Sequence, residues 1–252
     1  MRPVATGAIK ACVPPLPRLF ALIVLLGIAA LPASQDIVPA DREIRVIEGW
    51  TVHVSRELLR RDPAATATAL EILRTQLDWI TRTVPAPAVT RLKEVPLWLS
   101  PEYPGIGPKA EYHPSAEWLR AHGRDPAMAR GVEFTNVRIF EAELRRMPVF
   151  VLHELAHAYH HRVLGHDHRG IKAAFAQAQA GGKYEHVERQ DAAGRKRMDR
   201  AYALTNAQEY FAESTEAFFG RNDFFPYTRD QLEAFDPAVC AVLAEVWGTA
   251  AK

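Results

Sequence analysis

Apolar residues recur at helical spacing in several stretches of this chain and alternate in others. Ala69, Ile72, Leu73, Leu77 and Ile80 follow the helical period, which predicts a helix from Asp62-Pro63 to about Thr83. Pro85 and Pro87 end it. Phe150, Val151, Leu152, Leu155, Ala156 and Ala158 predict a mostly apolar, buried helix. Pro148 suits its first turn and Gly165 its stop. Residues 207–219 predict another helix, with Thr205 or Asn206 as N-cap and Gly220 as the stop. Residues 230–247 read as a closing helical segment interrupted near Pro237.

Strand patterns occupy 44–54, with Gly49 at a bend, then 95–99 and 131–140. A proline- and glycine-rich loop covers 101–108, and a short helix is expected around Trp118. Residues 166–200 are polar and read as an elaborate loop with helical pieces. Strands come mostly first and helices last, which predicts an α+β fold.

The N-terminus follows a different pattern. Arg2, Lys10 and Arg18 precede an apolar run over 19–31, and no acid occurs before Asp36. Leu31-Pro32-Ala33-Ser34 offers small residues for cleavage. Residues 1–34 are therefore expected to be an export signal cut near Ala33 or Ser34, with a retained N-terminal anchor as the other reading. The expected location is secreted or periplasmic. Residues 35–252 are expected to form one domain: an αβ part over 35–130, a catalytic core over 131–225 and a helical segment over 226–252.

The full chain carries 31 Lys and Arg against 30 Asp and Glu. Arg2, Lys10 and Arg18 fall in the export segment, so 28 basic residues face the same 30 acids and the remainder has net charge −2. That balance gives no reason to expect nucleic acid or an anionic membrane as partner. Of the two cysteines, Cys12 lies in the export segment, which leaves Cys240 as a lone thiol and no internal disulfide. Export without disulfides fits a bacterial periplasm or outer surface.

The apolar helix over 150–159 contains His153-Glu154-x-x-His157. Residues four apart share a helix face, so the two imidazoles can meet one ion while Glu154 holds a water beside them. Two histidines and a glutamate on a buried helix are costly to desolvate without a partner, and a metal supplies one. Two ordinary helix histidines are the plainer reading. A catalytic zinc needs a third protein ligand and an open position. Glu209 and Glu213 lie one turn apart on the 207–219 helix, and the aromatic neighbours Tyr210 and Phe211 argue for burial. Glu209 is assigned to the metal and Glu213 to a hydrogen bond with a ligating histidine. Glu216 continues their face and reads as solvated. His160 and His161 are expected at the surface, with His161 nearer the metal stripe. His166-Asp167-His168 is expected in a solvated loop.

The His-Glu-x-x-His motif with a downstream helical Glu-x-x-x-Glu resembles the gluzincin group of zinc metallopeptidases. The stretch from Tyr202 to Glu213 is similar to the anthrax lethal factor-type peptidase domain, over about residues 130–225. The wider region also resembles uncharacterised secreted bacterial zinc peptidases. In the lethal factor-type family a tyrosine stands seven residues before the glutamate ligand, and Tyr202 matches. Glu209 follows His157 by 52 positions, much further than in thermolysin-type gluzincins. The resemblance implies a zincin-like fold: a small mixed sheet packed on the His-Glu-x-x-His helix, with a C-terminal helical subdomain. It implies Zn2+ as cofactor and a peptide or protein as substrate. It also implies Glu154 as the base and Tyr202 as an oxyanion donor, although a packed core tyrosine is the other reading at Tyr202. Strand 131–140 is expected to offer its edge to substrate, with Asn136 and Arg138 nearby. A zinc amidase acting on cell-wall peptide would share this metal site, and a silent zinc-stabilised binding module is the non-enzymatic alternative.

Overall fold

The structure is a computed structural model, and it describes residues 41–249. The expected export segment 1–34 lies outside the described residues. The fold is α+β, and the described residues fall within a single compact unit.

β1 (Arg42–Ile47) and β2 (Trp50–Ser55) form a hairpin turned at Glu48-Gly49, where both residues have positive φ. α1 (Arg56–Arg61) follows directly, capped by the Ser55 hydroxyl. α2 (Pro63–Thr83) matches the predicted helix, with Pro63 in its first turn, and buries Ala69, Leu73, Leu77 and Ile80. The two prolines that end it also open a short helix, α3 (Ala86–Leu92), because proline fits a first turn as well as it breaks an interior. β3 (Leu97–Leu99) is fully buried.

β4 (Ala110–Tyr112) is a three-residue strand that the sequence pattern does not mark. α4 (Ala116–Ala121) contains Trp118 as expected. β5 (Val132–Phe134) is much shorter than the predicted strand. Residues Val137–Ile139 form a tight turn, and Phe140–Arg146 is a helix, α5. Val137 and Phe140 are both buried and three apart, so the apparent alternation there is helical packing.

The five strands run in the order β1-β2-β3-β5-β4, parallel through β2-β3-β5 and antiparallel at both ends. β5 is therefore interior, and β4 is the edge strand on that side of the sheet. This corrects the expectation that 131–140 offers an edge to substrate. Asn136 is fully buried and Arg138 forks onto Asp62, so neither stands at that edge.

α6 (Phe150–Tyr159) carries the His-Glu-x-x-His motif and packs against the sheet through Phe150, which meets Phe134 and Phe140 edge-on. Pro148 lies just outside the helix. The last turn, His160–Leu164, widens to π geometry and stops at Gly165, with φ +81°. Residues 166–200 hold more regular structure than expected: α7 (Arg169–Gly181) and a hairpin of β6 (Val187–Gln190) and β7 (Lys196–Asp199). α8 (Ala207–Phe219) starts at Asn206, whose side chain accepts from the N–H groups of Gln208 and Glu209. α9 (Arg229–Phe235) and α10 (Pro237–Val246) break at Asp236-Pro237, as the sequence predicts. Trp247 joins this end to the core by stacking on Tyr159 and Phe211.

No described helix is long and apolar enough to cross a membrane. Cys240 is free and buried.

Candidate metal centre

α6 and α8 pack directly against each other, which brings His153, His157 and Glu209 together. His153 Nε2 and His157 Nε2 are 3.1 Å apart. Glu209 Oε2 lies 3.3 Å from each of them. Ligands held at about 2.0–2.1 Å in a tetrahedral zinc site stand about 3.3–3.4 Å from one another. The three atoms thus already have the mutual spacing a small divalent ion requires. Glu209 Oε2 is buried yet makes no aligned hydrogen bond, an oxygen a cation would satisfy. Two imidazoles and a carboxylate also suit zinc chemically.

Behind the site, His153 Nδ1 bonds Glu216 Oε1 at 2.6 Å. Glu213 Oε1 is 3.9 Å from the same nitrogen. The sequence expectation is corrected here in two ways. Glu216 is completely buried rather than solvated, and it, not Glu213, makes the close contact. α8 is enclosed from Tyr210 to Phe218, which takes Glu213 and Glu216 out of water. Burial, then the Glu216 charge, holds the Glu213 carboxyl well above the usual range. Burial also raises Glu216, against the pull of His153.

Burial alone would disfavour charge on His153, but the facing Glu209 and Glu216 carboxylates outweigh it and raise its pKa well above normal. Glu209 is held far below the carboxylate range, because His153 and His157 overcome its desolvation. Carboxylates that favour a proton on His153 equally favour a cation in its place. Glu216→Ala is therefore expected to weaken zinc affinity about 10–100-fold, with a smaller loss for Glu213→Ala, measured by competition against a chromogenic chelator.

Glu154 projects beside the two histidines, and its Oε2 accepts the Tyr112 backbone N–H at 2.9 Å. In β4 the residues flanking Tyr112 and Ala110 pair inward: His113 N–H to Gly131 O at 3.0 Å, and Thr135 N–H to Lys109 O at 2.9 Å. Ala110 and Tyr112 therefore turn their amides and carbonyls outward, away from β5. Ala110, Tyr112, Glu154 and the three candidate ligands all line one cleft of about 760 Å³.

Tyr202 lines the same cleft on a single turn, Tyr202–Leu204, and is 48% exposed, so the core-tyrosine reading fails. Burial of its other half, then the Glu209 charge, raises its pKa and keeps the hydroxyl protonated.

Four histidines differ from expectation. His160 is fully buried against Phe211, and neither ring nitrogen has a partner. Burial, followed by the neighbouring His166, pushes its pKa down to about 3. His160 follows buried His153 by seven positions and buried Ala156 by four, so the ordinary helical period carries it onto the buried face. His161 Nδ1 bonds the Tyr112 hydroxyl at 2.8 Å. His166 reaches the cleft wall, and His168 caps α7 by accepting from Ile171 N–H, so this segment is not a purely solvated loop. Nothing in the sequence marks Tyr112, since a strand of three residues leaves no periodic signal.

Neither protein-family models, nor curated proteins, nor solved structures contain a match to this chain.

Proposed function

We propose that this chain is a zinc-dependent metallopeptidase of gluzincin type, with a zincin-like fold. The observation that carries the reading is the convergence of His153 Nε2, His157 Nε2 and Glu209 Oε2 at 3.1–3.3 Å in an open cleft. A purely structural zinc takes four protein ligands and needs no base, whereas this trio leaves a position open with Glu154 beside it. A mixed sheet packed on the motif helix supports the zincin-like architecture.

His153, His157 and Glu209 would hold the zinc, which polarises a carbonyl and acidifies water when bound. Glu154 takes the proton of the attacking water and returns it to the leaving amine. One of its oxygens is fixed by Tyr112 N–H, which orients the carboxylate. The Tyr202 hydroxyl donates to the oxygen on which negative charge develops. The outward edge of β4 pairs with an extended substrate backbone by strand addition. Substrate is a peptide or protein, and the export signal makes the setting secreted or periplasmic.

The test is zinc content and cleavage of a peptide library by the purified protein, before and after stripping with a chelator. One zinc per chain, cleavage lost on stripping and restored by zinc is the expected result. Zinc without turnover on any peptide would favour the silent binding module.

A further inference from the structure

We propose that the cleft contains a carboxylate-binding subsite anchored on Arg189. The substrate class is then a peptide presenting a carboxylate there, from either an acidic side chain or a free C-terminus. The inference rests on the peptidase reading for its substrate, though the subsite is argued from its own geometry.

Two guanidinium groups line the cleft, Arg146 and Arg189. Their surroundings differ. Arg146 gives Nε and Nη2 to Glu143 and turns Nη1 towards Asp223 at 3.5 Å, so its fork is engaged. Arg189 gives only Nε, to Asp223 Oδ2 at 3.1 Å. Its Nη1 and Nη2 make no hydrogen bond among the described residues. The nearest further acid, Asp199, is 3.9 Å from Nη1 and already accepts two bonds from Arg197. Arg189 thus keeps a free planar edge, the geometry that matches a carboxylate bidentately.

That edge is also held in place. The Arg189 backbone bridges to Phe224, and Gln190 N–H bonds Asp223 O at 2.8 Å. The guanidinium stacks over the Phe224 ring at 4.6 Å. A fixed guanidinium loses little freedom when it binds. The negative charge that fixes it, Asp223, is only 1% exposed, whereas Arg189 is 27% exposed. Asp223 is therefore more enclosed than the guanidinium it holds. Met147, Phe150 and Phe224 give the surroundings apolar walls that strengthen an ionic contact.

The subsite adjoins the metal centre. Arg189 and Asp223 line the same cleft as His153, His157 and Glu209. A substrate across the cleft can meet both regions at once.

The experiment measures binding rather than turnover. The Glu154→Gln protein, full-length and zinc-loaded, is titrated calorimetrically with an acetylated, amidated hexa-alanine scaffold carrying Glu or Gln at each position in turn. The all-alanine free acid and its amide complete the set. Either one Glu register or the free acid should bind about tenfold or more tightly than its neutral partner, as a charge-assisted pair does. The first outcome identifies a side chain as the source, the second a terminus. Adding Arg189→Gln should erase the preference and leave neutral-peptide affinity unchanged. Arg189→Lys, which keeps the charge without the fork, should lose most of it and covers the case that Arg189→Gln does not fold. Equal binding of charged and neutral probes, no binding of any probe, or a preference that survives both substitutions overturns the proposal. Failure of the peptidase reading shows separately, in the zinc content and cleavage of the parent.

Discussion

Glu154→Gln is expected to lower kcat/KM for peptide hydrolysis by about 10²–10⁴-fold while zinc content stays at the parental level. The carboxylate contributes no atom to the candidate ligand trio, so the ion keeps its holders. Glutamine is nearly isosteric, and its amide oxygen can still accept the Tyr112 N–H. What disappears is a group able to carry a proton from water to the leaving amine. The split is decisive when kinetics and metal analysis are read on the same sample. A variant that cleaves at the parental rate would remove Glu154 from its role, and one that loses zinc would give it a different one.

Glu209→Ala is expected to strip the metal, leaving less than one zinc per chain after dialysis and abolishing cleavage with it. Among the described residues, Glu209 Oε2 is the only carboxylate oxygen within 4.0 Å of both histidine Nε2 atoms, at 3.3 Å from each. Glu213 and Glu216 approach His153 from its Nδ1 side and cannot replace it without rotating the ring. The substitution also removes an acid held strongly ionised by the two imidazoles, so they lose a partner in the metal-free protein. Metal analysis after dialysis, with circular dichroism to verify folding, checks the prediction. Parental zinc affinity in the variant would put the third ligand elsewhere and defeat the gluzincin reading.

The long helices were legible because each carries its own instructions. Apolar spacing in α2, the Asn206 cap and the Gly165 stop are local signals, and local physics decides them. His153, His157 and Glu209 were legible for a related reason, since helix geometry fixes which residues share a face. The misreadings are of two kinds, and the ones that bear on the site are long-range. β4 is held by β5, twenty residues away, and has too few residues for a pattern of its own. Residues 135–140 alternate like a strand but follow β5 into a turn and a helix. Glu216 looked solvated because acids usually are, and only the packing of α8 on α6 encloses it. The link from Tyr112 to His161 spans 49 positions and has no trace in either local sequence.

Tyr112 is tied to the motif helix twice, by its amide to Glu154 and by its hydroxyl to His161. An amide that donates to a buried carboxylate trades its hydrogen with solvent only when the strand lifts away. A short edge strand, bonded on one side alone, opens more readily than the core beneath it. The exchange rate of this single amide therefore measures how often the mouth of the cleft unlatches, and an extended peptide along β4 would slow it.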